Sequence, residues 1–282
     1  MKILLVGASS SLALALKPVL EEFAEVVTAG RTGCDVYLDL IEPIEAISIA
    51  SGFDTVINCA AQFGGKLPED IINAENVNVV GTLKLCRACT NAAVGQLVNI
   101  SSSLAGLDPA SSFYNEYTLS KRHADEVAQL YSSRFGLPLL IIRPSQIYGA
   151  DESFRKHQSS LYAIMDKAQQ NQDIVIFGSN DALRNFIYVE DVATVIALAV
   201  KQKLIGNFAC VYSENVRLSQ IVGAAISAFD SCSNISFDKD LPDIQDNGFP
   251  VDDELYKAIG FFPQISILAG LQKEAVRRGA NL

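Results

Sequence analysis

The stretch Lys2-Ile-Leu-Leu-Val6, followed by Gly7-Ala-Ser-Ser-Ser-Leu-Ala13, joins a short apolar run to a helical pattern through one glycine. The run predicts a buried strand, and the glycine predicts a sharp turn into a helix. The same alternation continues along the chain. Apolar runs predict strands at Lys2–Val6, Glu25–Thr28, Thr55–Asn58, Gln96–Ile100 and Pro138–Ile142. Hydrophobic spacing predicts helices between them, at 14–22, 43–51, 70–92 and 116–135.

The alternation of strands and helices predicts an α/β fold with a doubly wound parallel sheet of the Rossmann-like type. The strands are continuous apolar runs, which is typical of strands covered on both faces. After about residue 150 the sequence becomes polar and richer in turn residues, and only 184–202 returns to a strand and an apolar helix. We therefore expect a Rossmann domain and a smaller, discontinuous C-terminal lobe. The expected ranges are 1–150 and 182–210 for the domain, and 151–181 and 211–282 for the lobe.

Composition restricts the possible partners. The chain of 282 residues carries a net charge of −10, which argues against nucleic acid or an anionic membrane surface as a partner. Its apolar runs are too short for a membrane span or a signal peptide, so we expect a cytoplasmic protein with no membrane partner. The six cysteines have apolar neighbours and predict buried thiols. Cys86 and Cys89 form a CxxC without a second pair, so no metal site is predicted.

The opening loop is the first candidate site. A glycine-rich turn from strand to helix lets backbone N–H groups and the helix N-terminus approach a pyrophosphate. Gly7 occupies the first position of such a loop, Ser10 stands where a second glycine is expected, and Ala13 stands at the third. On its own, this loop fits an ordinary turn with serine helix caps better than a phosphate-binding loop.

The second candidate site is Tyr117-Thr-Leu-Ser-Lys121. Positions i and i+4 share one face of a helix, and an ammonium beside a phenol is expected to lower the pKa of the phenol. Tyr117 would then be a general acid/base near neutral pH. The run Ser101-Ser102-Ser103 follows a predicted strand, where hydroxyl groups face the ligand crevice of a parallel sheet.

Taken together, these features resemble the extended short-chain dehydrogenase/reductase family, of the NAD-dependent epimerase/dehydratase type. The resemblance runs through nearly the whole chain. Its marks, in order, are the Gly7 loop, Asp39-Leu40, Cys59-Ala60-Ala61, Asn78-Val-Val-Gly-Thr82, the serine run, Tyr117-x-x-x-Lys121, Arg143-Pro-Ser-Gln-Ile-Tyr-Gly149 and Arg184-Asn-Phe-Ile-Tyr-Val-Glu-Asp191.

The resemblance implies roles for individual residues. Tyr117 would be the acid/base, and Lys121 would bind the nicotinamide ribose and tune Tyr117. Ser102 would supply the catalytic hydroxyl, with Ser103 as a rival because two ways of aligning the serine run disagree. Asn78 would support the site.

The resemblance also implies a cofactor cleft. Its residues are Gly7, Ser9, Ser10, Ser11, Leu12, Arg31, Asp39, Leu40, Cys59, Ala60, Ala61, Tyr117, Lys121 and Pro144. Asp39 and Leu40 would lie against the adenine. The second strand ends in Arg31 instead of the acidic residue that grips a ribose 2′-OH, and an arginine suits a 2′-phosphate. We therefore expect NADP(H) ahead of NAD(H).

For the substrate, the resemblance points to two residues of the second half. Arg184 matches an arginine that clasps the substrate diphosphate in sugar-nucleotide epimerases, a task that suits a guanidinium fork. Gln146 stands where UDP-galactose epimerases have a substrate-binding asparagine. Two departures limit the analogy. The loop lacks two glycines, and Ser103-Leu104 replace the Asp-Glu pair of dTDP-glucose 4,6-dehydratases, so a dehydratase is not expected.

The leading hypothesis is an NAD(P)-dependent epimerase or reductase of a sugar, nucleotide-linked, acting by hydride transfer with tyrosine acid/base catalysis. One alternative is a reductase of a non-sugar carbonyl. Another is a non-catalytic dinucleotide sensor with a degenerate glycine loop, which the retained pair of Tyr117 and Lys121 disfavours. The helices 70–92 and 116–135 could form a homodimer interface or could simply cover the sheet.

Overall fold

The structure is a computed structural model that describes residues 1–65, 67–150 and 152–280. Its strands are β1 (Lys2–Val6), β2 (Glu25–Gly30), β3 (Val36–Tyr37), β4 (Thr55–Asn58), β5 (Gln96–Ile100), β6 (Leu139–Pro144), β7 (Gln146–Tyr148), β8 (Ile174–Phe177), β9 (Leu183–Arg184), β10 (Phe186–Tyr188), β11 (Gly206–Cys210), β12 (Val216–Arg217) and β13 (Ile235–Asp238). Its α-helices are α1 (Ser11–Glu21), α2 (Pro68–Ala74), α3 (Gly81–Asn91), α4 (Glu116–Phe135), α5 (Ser159–Gln169), α6 (Val189–Lys201), α7 (Leu218–Ala228), α8 (Glu254–Ile259) and α9 (Ile267–Arg277).

The chain divides into two compact units. The first, called the sheet unit, comprises Met1–Pro144, Ala193–Cys210 and Glu254–Gly260. The second unit comprises Ser145–Val192, Val211–Asp253 and Phe261–Leu282.

The sheet unit is built on one parallel sheet. Within the described residues it has seven strands in the order β11-β6-β5-β4-β1-β2-β3. The order reverses at β1, so the chain winds outward in both directions, as the sequence predicts for a doubly wound sheet. Both faces are covered: Leu4 and Val6 belong to one core cluster, while the alternating Ile3 and Leu5 are fully buried outside that cluster.

The helices of the sheet unit agree with the predictions except at one place. The prediction 116–135 coincides with α4, and 70–92 corresponds to α2 and α3 joined by a π-helix over Glu75–Val80. The predicted helix 43–51 is wrong, because the segment forms a turn and then an irregular chain. The β-branched residues there disfavour a helix, and Ile47 packs into the core cluster without one.

The second unit holds three short strand pairs among its described residues. β7 pairs with β10 in parallel, β8 pairs with β13 in parallel, and β9 pairs with β12 in antiparallel fashion. Because β7 pairs with β10 and not with the seven-stranded sheet, residues 145–150 and 182–192 fall in this unit and not with the sheet as we expected. Residues 254–260, which we expected in the lobe, fall in the sheet unit.

The cysteines are free thiols. Four are buried as predicted, whereas Cys34 is half-buried and Cys232 is exposed. Cys86 and Cys89 both lie in the core cluster, and burial raises the pKa of Cys86 to about 12. This environment suits packing and disfavours redox or metal chemistry. In the part of the chain that the structure describes, no helix is both long and apolar enough to span a membrane.

Gly7 provides a test of the fold at the β1–α1 turn. Its φ is +73°, and a Cβ there would lie 2.5 Å from the backbone nitrogen of Ala60. Gly7→Ala should lower the free energy of unfolding by at least ~1 kcal/mol, the cost of the left-handed conformation alone. Gly106 has open space at its Cβ position, so Gly106→Ala is the matched control. Urea denaturation of both variants measures the difference, and equal effects would contradict the close approach.

Candidate active site

The loop after β1 lies at the carboxyl edge of the sheet. The Gly7 N–H donates to the carbonyl oxygen of Ala29 at 2.9 Å, which ties the turn to the end of β2. The missing side chain of Gly7 lets this turn contact the backbone of Cys59 and Ala60 after β4. A side chain at Gly7 would force the turn away from the segment after β4. The Gly7 turn is thus the place where the ends of β1, β2 and β4 meet.

Ser10 is the N-cap of α1. Its Oγ accepts a hydrogen bond from the Ala13 N–H at 3.3 Å, so the serine cap seen in the sequence is present. A hydroxyl that accepts one bond still has its own proton to donate. Ser9 is exposed and Ser11 and Leu12 begin the helix, so these positions lie at the positive end of α1.

The residues after β2 and β3 lie at the same edge of the sheet. Arg31 is exposed and directly follows β2. Asp35, which the sequence analysis did not single out, accepts hydrogen bonds from the N–H and the hydroxyl of Thr28 at 2.9 and 2.7 Å. The Asp35 carboxylate is therefore bound to Thr28 of β2. Arg31, in contrast, is an exposed cation at the end of β2. Asp39 is half-buried and Leu40 is buried.

Asn78 fastens the segment after β4. Its Oδ1 accepts from the Gln62 N–H, and its Nδ2 donates to the Gln62 carbonyl oxygen and to the Ser120 hydroxyl, each at 2.8 Å. Asn78 therefore connects this segment to α4 through contacts that use both ends of its amide. Cys59 is buried, which raises the pKa of its thiol to about 12 and keeps it protonated. Ala60 and Ala61 are half-buried.

Tyr117 and Lys121 lie on one face of α4. The Lys121 Nζ is 5.8 Å from the centre of the Tyr117 ring and donates to the Ile100 carbonyl oxygen at 2.8 Å. Phe63 stacks on the Tyr117 ring with a centroid distance of 4.7 Å and an interplanar angle of 15°. Sequence reasoning missed Phe63, because no local signal links position 63 to 117.

The three serines after β5 have three different partners. Ser101 donates to Asp125 at 2.8 Å, and Ser103 donates to the Arg143 carbonyl oxygen at 2.7 Å. The Ser102 hydroxyl accepts from the Leu104 N–H at 3.2 Å and is the hydrogen-bonding side chain that acts to lower the pKa of Tyr117. Of the two rival serines, Ser102 is therefore the one that the structure brings to the tyrosine.

The protonation of the pair differs from the sequence expectation. Burial raises the pKa of Tyr117 above its ordinary value, although the Ser102 hydrogen bond opposes this effect. The expected lowering of the Tyr117 pKa is therefore wrong in this structure, because desolvation and the charge of Asp125 both favour the neutral phenol. Burial also lowers the pKa of Lys121 to about 8, against the opposing effect of Asp125. At neutral pH Tyr117 is a neutral phenol and Lys121 is mostly a cation.

Three predicted site residues remain: Pro144, Gln146 and Arg184. Pro144 is the buried last residue of β6 and lies beside Cys210 in the sheet. Gln146 and Arg184 belong to the second unit. The Gln146 amide donates to the Gln158 side chain at 3.2 Å, and the buried Arg184 donates through Nη1 to the carbonyl oxygens of Leu183 and Gln245 at 2.7 and 2.8 Å.

The edge of the sheet unit at the Gly7 turn suits the phosphate groups of a dinucleotide. The turn packs directly on the backbone of Ala60, and α1 begins after it at Ser11. Helix N-termini bind phosphate groups through their N–H groups and dipole. No group of histidine, cysteine or acidic residues able to hold a metal ion occurs among the described residues.

Comparison with known proteins gives a family and several relatives. A profile of the NAD dependent epimerase/dehydratase family matches residues 4–208. The CDP-abequose synthase of Salmonella typhimurium is 28% identical over 149 residues, which are 53% of this chain and 48% of that protein. The dTDP-4-dehydro-6-deoxy-D-allose reductase of a Streptomyces species is 23% identical over 247 residues, 80% of this chain and 74% of that protein. The chain thus matches about half the length of the first relative and three quarters of the second.

Solved structures share the fold over the full length of the chain. The UDP-N-acetylglucosamine 4-epimerase of Bacillus cereus superposes with a TM-score of 0.81 at 18% identity, covering 100% of this chain and 98% of that one. The UDP-glucose 4-epimerase of Thermus thermophilus in complex with NAD has a TM-score of 0.75 at 19% identity, covering 100% of both. RMD of Pseudomonas aeruginosa complexed with NADPH has a TM-score of 0.76 at 19% identity, covering 98% and 97%.

The burial of Lys121 has a measurable consequence for stability. Its pKa is about 8 in the folded protein and 10.5 ordinarily, so the unfolded chain binds more protons between these pH values. Stability from this group therefore rises with pH across that window, by about 3 kcal/mol in all. Lys121→Met lacks the titration, so its stability relative to the unaltered protein should fall by that amount from pH 8 to 10.5. Urea denaturation at several pH values measures this difference, and a constant difference would contradict the burial.

Proposed function

The chain belongs to the NAD dependent epimerase/dehydratase family, and from this membership we propose that it is an NAD(P)-dependent epimerase or reductase of a nucleotide-linked sugar. The relatives that it matches include a sugar-nucleotide synthase and a reductase, and the shared fold includes sugar epimerases. These names support the substrate class.

The contact between Ser102 and Tyr117, with Lys121 on the same helix face, is the observation that carries the proposal. A phenol with a raised pKa remains protonated at neutral pH and can donate its proton to a carbonyl oxygen as that oxygen gains negative charge. The Ser102 hydroxyl can hydrogen-bond the same oxygen and orient it. The cationic Lys121 stabilises the phenolate that remains after the proton has left.

The dinucleotide would be held by the Gly7 loop with Ser9, Ser10, Ser11 and Leu12, by the predicted residues that follow β2, β3 and β4, by Pro144 at the end of β6, and by Tyr117 and Lys121 on α4. When bound, the nicotinamide supplies or accepts the hydride. The residues of the chain bind it, orient the substrate oxygen and move a proton at the Tyr117 oxygen. In the oxidative direction the phenolate takes the proton from a substrate hydroxyl, and Asn78 keeps the segment after β4 attached to α4.

We assign the second unit to substrate binding. Gln146 and Arg184 both belong to it, and the buried guanidinium of Arg184 provides positive charge in a chain with a net charge of −10. A diphosphate group suits such a guanidinium. Reductase and epimerase use the same groups, and they differ in whether the ketone is released or reduced again on its other face.

The cytoplasmic location and the homodimer stay predictions. The helices proposed for the homodimer carry exposed apolar side chains, among them Ile72, Val80 and Leu130.

Tyr117→Phe tests the acid/base role. The variant keeps the ring and its stacking on Phe63 but cannot exchange a proton, so turnover should fall at least ~10²-fold. The assay uses UDP-, CDP-, GDP- and dTDP-linked sugars and keto-sugars with NADPH or NADH. Nicotinamide absorbance detects reduction, and chromatography of the sugar nucleotides detects epimerisation.

Tyr114→Phe is the matched control for this test. Tyr114 lies under Arg122 and outside the pair with Lys121, so its variant should retain turnover. Turnover that survives Tyr117→Phe would remove Tyr117 from the mechanism. Failure of both dinucleotides to bind the unaltered protein at millimolar concentration would overturn the enzyme assignment.

Arg31 tests the choice of cofactor, for which we propose NADP(H). If its guanidinium meets the 2′-phosphate, Arg31→Ala should weaken NADPH binding on the order of 10- to 100-fold, as expected for a hydrogen bond between charged groups. NADH binding should be unchanged. Calorimetry measures both affinities, with Arg134→Ala on the exposed end of α4 as the control for loss of a positive charge. Tighter binding of NADH than of NADPH by the unaltered protein would contradict the assignment.

A further inference from the structure

Asp125 is a fully buried carboxylate on α4 that the proposed chemistry does not use. It lies four residues after Lys121 and eight after Tyr117, so the three side chains follow one face of the helix. A buried carboxylate without partners would be strongly unfavourable. The groups that bind the Asp125 carboxylate therefore indicate its role.

Two side chains from the sheet bind Asp125 at the same oxygen. Oδ2 accepts hydrogen bonds from the Ser101 hydroxyl at 2.8 Å and from the Arg143 Nε at 2.7 Å. Ser103 in turn donates to the Arg143 carbonyl oxygen. The carboxylate thus links α4 to the end of β5 and to β6 at one point.

Lys121 binds Ile100, the residue that precedes Ser101. Its Nζ donates to the Ile100 carbonyl oxygen, and Ser101 is the following residue. The ammonium and the carboxylate therefore hold two consecutive residues at the carboxyl end of β5. The other carboxylate oxygen, Asp125 Oδ1, is buried and makes no hydrogen bond to the described part of the chain.

We propose that Asp125 is a positioning residue: its carboxylate, clamped by Ser101 and Arg143, fixes the Lys121 ammonium at the carboxyl end of β5 on the face that carries Tyr117. The importance of Lys121 for catalysis rests on the proposed function, but the placement of the ammonium does not. Asp125 acts on the reacting groups through Lys121.

The charges around Lys121 support this role. On α4 it faces Asp125 and the neutral phenol of Tyr117, and from the segment after β4 it faces the protonated thiol of Cys59. The negative charge of Asp125 opposes the desolvation that lowers the Lys121 pKa. Without that charge, the buried lysine would lose its proton at a lower pH.

Arg143, on β6, favours the ionised form of Asp125. Burial raises the pKa of Asp125, whereas Arg143 and Ser101 lower it through charge and hydrogen bonding. The guanidinium is thus part of the clamp, and removing it alone would favour a neutral carboxyl group. A buried ion pair adds little stability over a well-packed apolar pair, so its presence calls for a reason other than stability.

The test separates positioning from stability with a double variant. Asp125→Asn leaves Arg143 without its partner and should destabilise the fold, which would not discriminate between the two roles. Replacing both residues, Asp125→Leu with Arg143→Met, removes the uncompensated charge and should recover the urea midpoint. The pKa of Lys121 is then followed in the whole folded chain by NMR with carbon-labelled lysine, and Lys121→Met identifies the signal.

In the double variant the Lys121 pKa should fall by about one unit below that of the unaltered protein, the low end for the loss of a neighbouring opposite charge. Glu126→Gln is the matched control, because Glu126 is the next residue on α4 but is exposed, and its variant should leave the Lys121 signal unchanged. A Lys121 pKa in the double variant equal to that of the unaltered protein would overturn the positioning role.

The titration uses neither dinucleotide nor sugar. A fall in the Lys121 pKa without turnover of any sugar nucleotide by the unaltered protein would therefore support the positioning role and overturn the proposed function. An unchanged pKa with turnover retained by the double variant would overturn the positioning role alone.

Discussion

The hydrogen bond from the Lys121 ammonium to the Ile100 carbonyl oxygen is the contact on which the site depends. It ties α4 to the end of β5, where the serine run leaves the sheet. Because Lys121 is buried, its charge needs a partner in this position, and any sliding of the helix along the strand would remove that partner. Tyr117 lies one turn earlier on the same face, so the same contact sets its position next to Ser102.

Much of the sheet unit could be predicted from the sequence, because its strands are short apolar runs with clear ends. The strands at Lys2–Val6, Thr55–Asn58 and Gln96–Ile100 are observed as predicted. The failure at 43–51 has a local cause: the apolar spacing of that segment resembles a helix, but its isoleucines favour other backbone conformations and Ile47 is buried without one. The pairing of β7 with β10 could not be predicted, since it joins segments that no periodic pattern connects.

The candidate site was predictable in its residue types but not in its contacts. Adjacent serines look equivalent in a sequence, and only the direction of each side chain distinguishes Ser102 from Ser103. Asp125 carries one sequence signal, its spacing from Lys121, whereas its partner Arg143 is on a different element, the strand β6. The sequence predicts a lowered pKa for Tyr117, whereas the structure shows a raised one. The spacing of Tyr117 and Lys121 reveals the nearby charge but not the burial of the phenol, and burial has the largest effect on this pKa.

The opening loop shows why a count of glycines is a poor measure of a phosphate-binding turn. The three positions meet different physical demands. At Gly7 a side chain would overlap the backbone of Ala60, so only glycine fits. Ala13 is fully buried against its neighbours, and a small side chain satisfies the need for close packing there. Ser10 caps α1 by accepting a hydrogen bond and keeps a proton that can be donated to an anion. The loop therefore retains glycine at the one position where the backbone requires it.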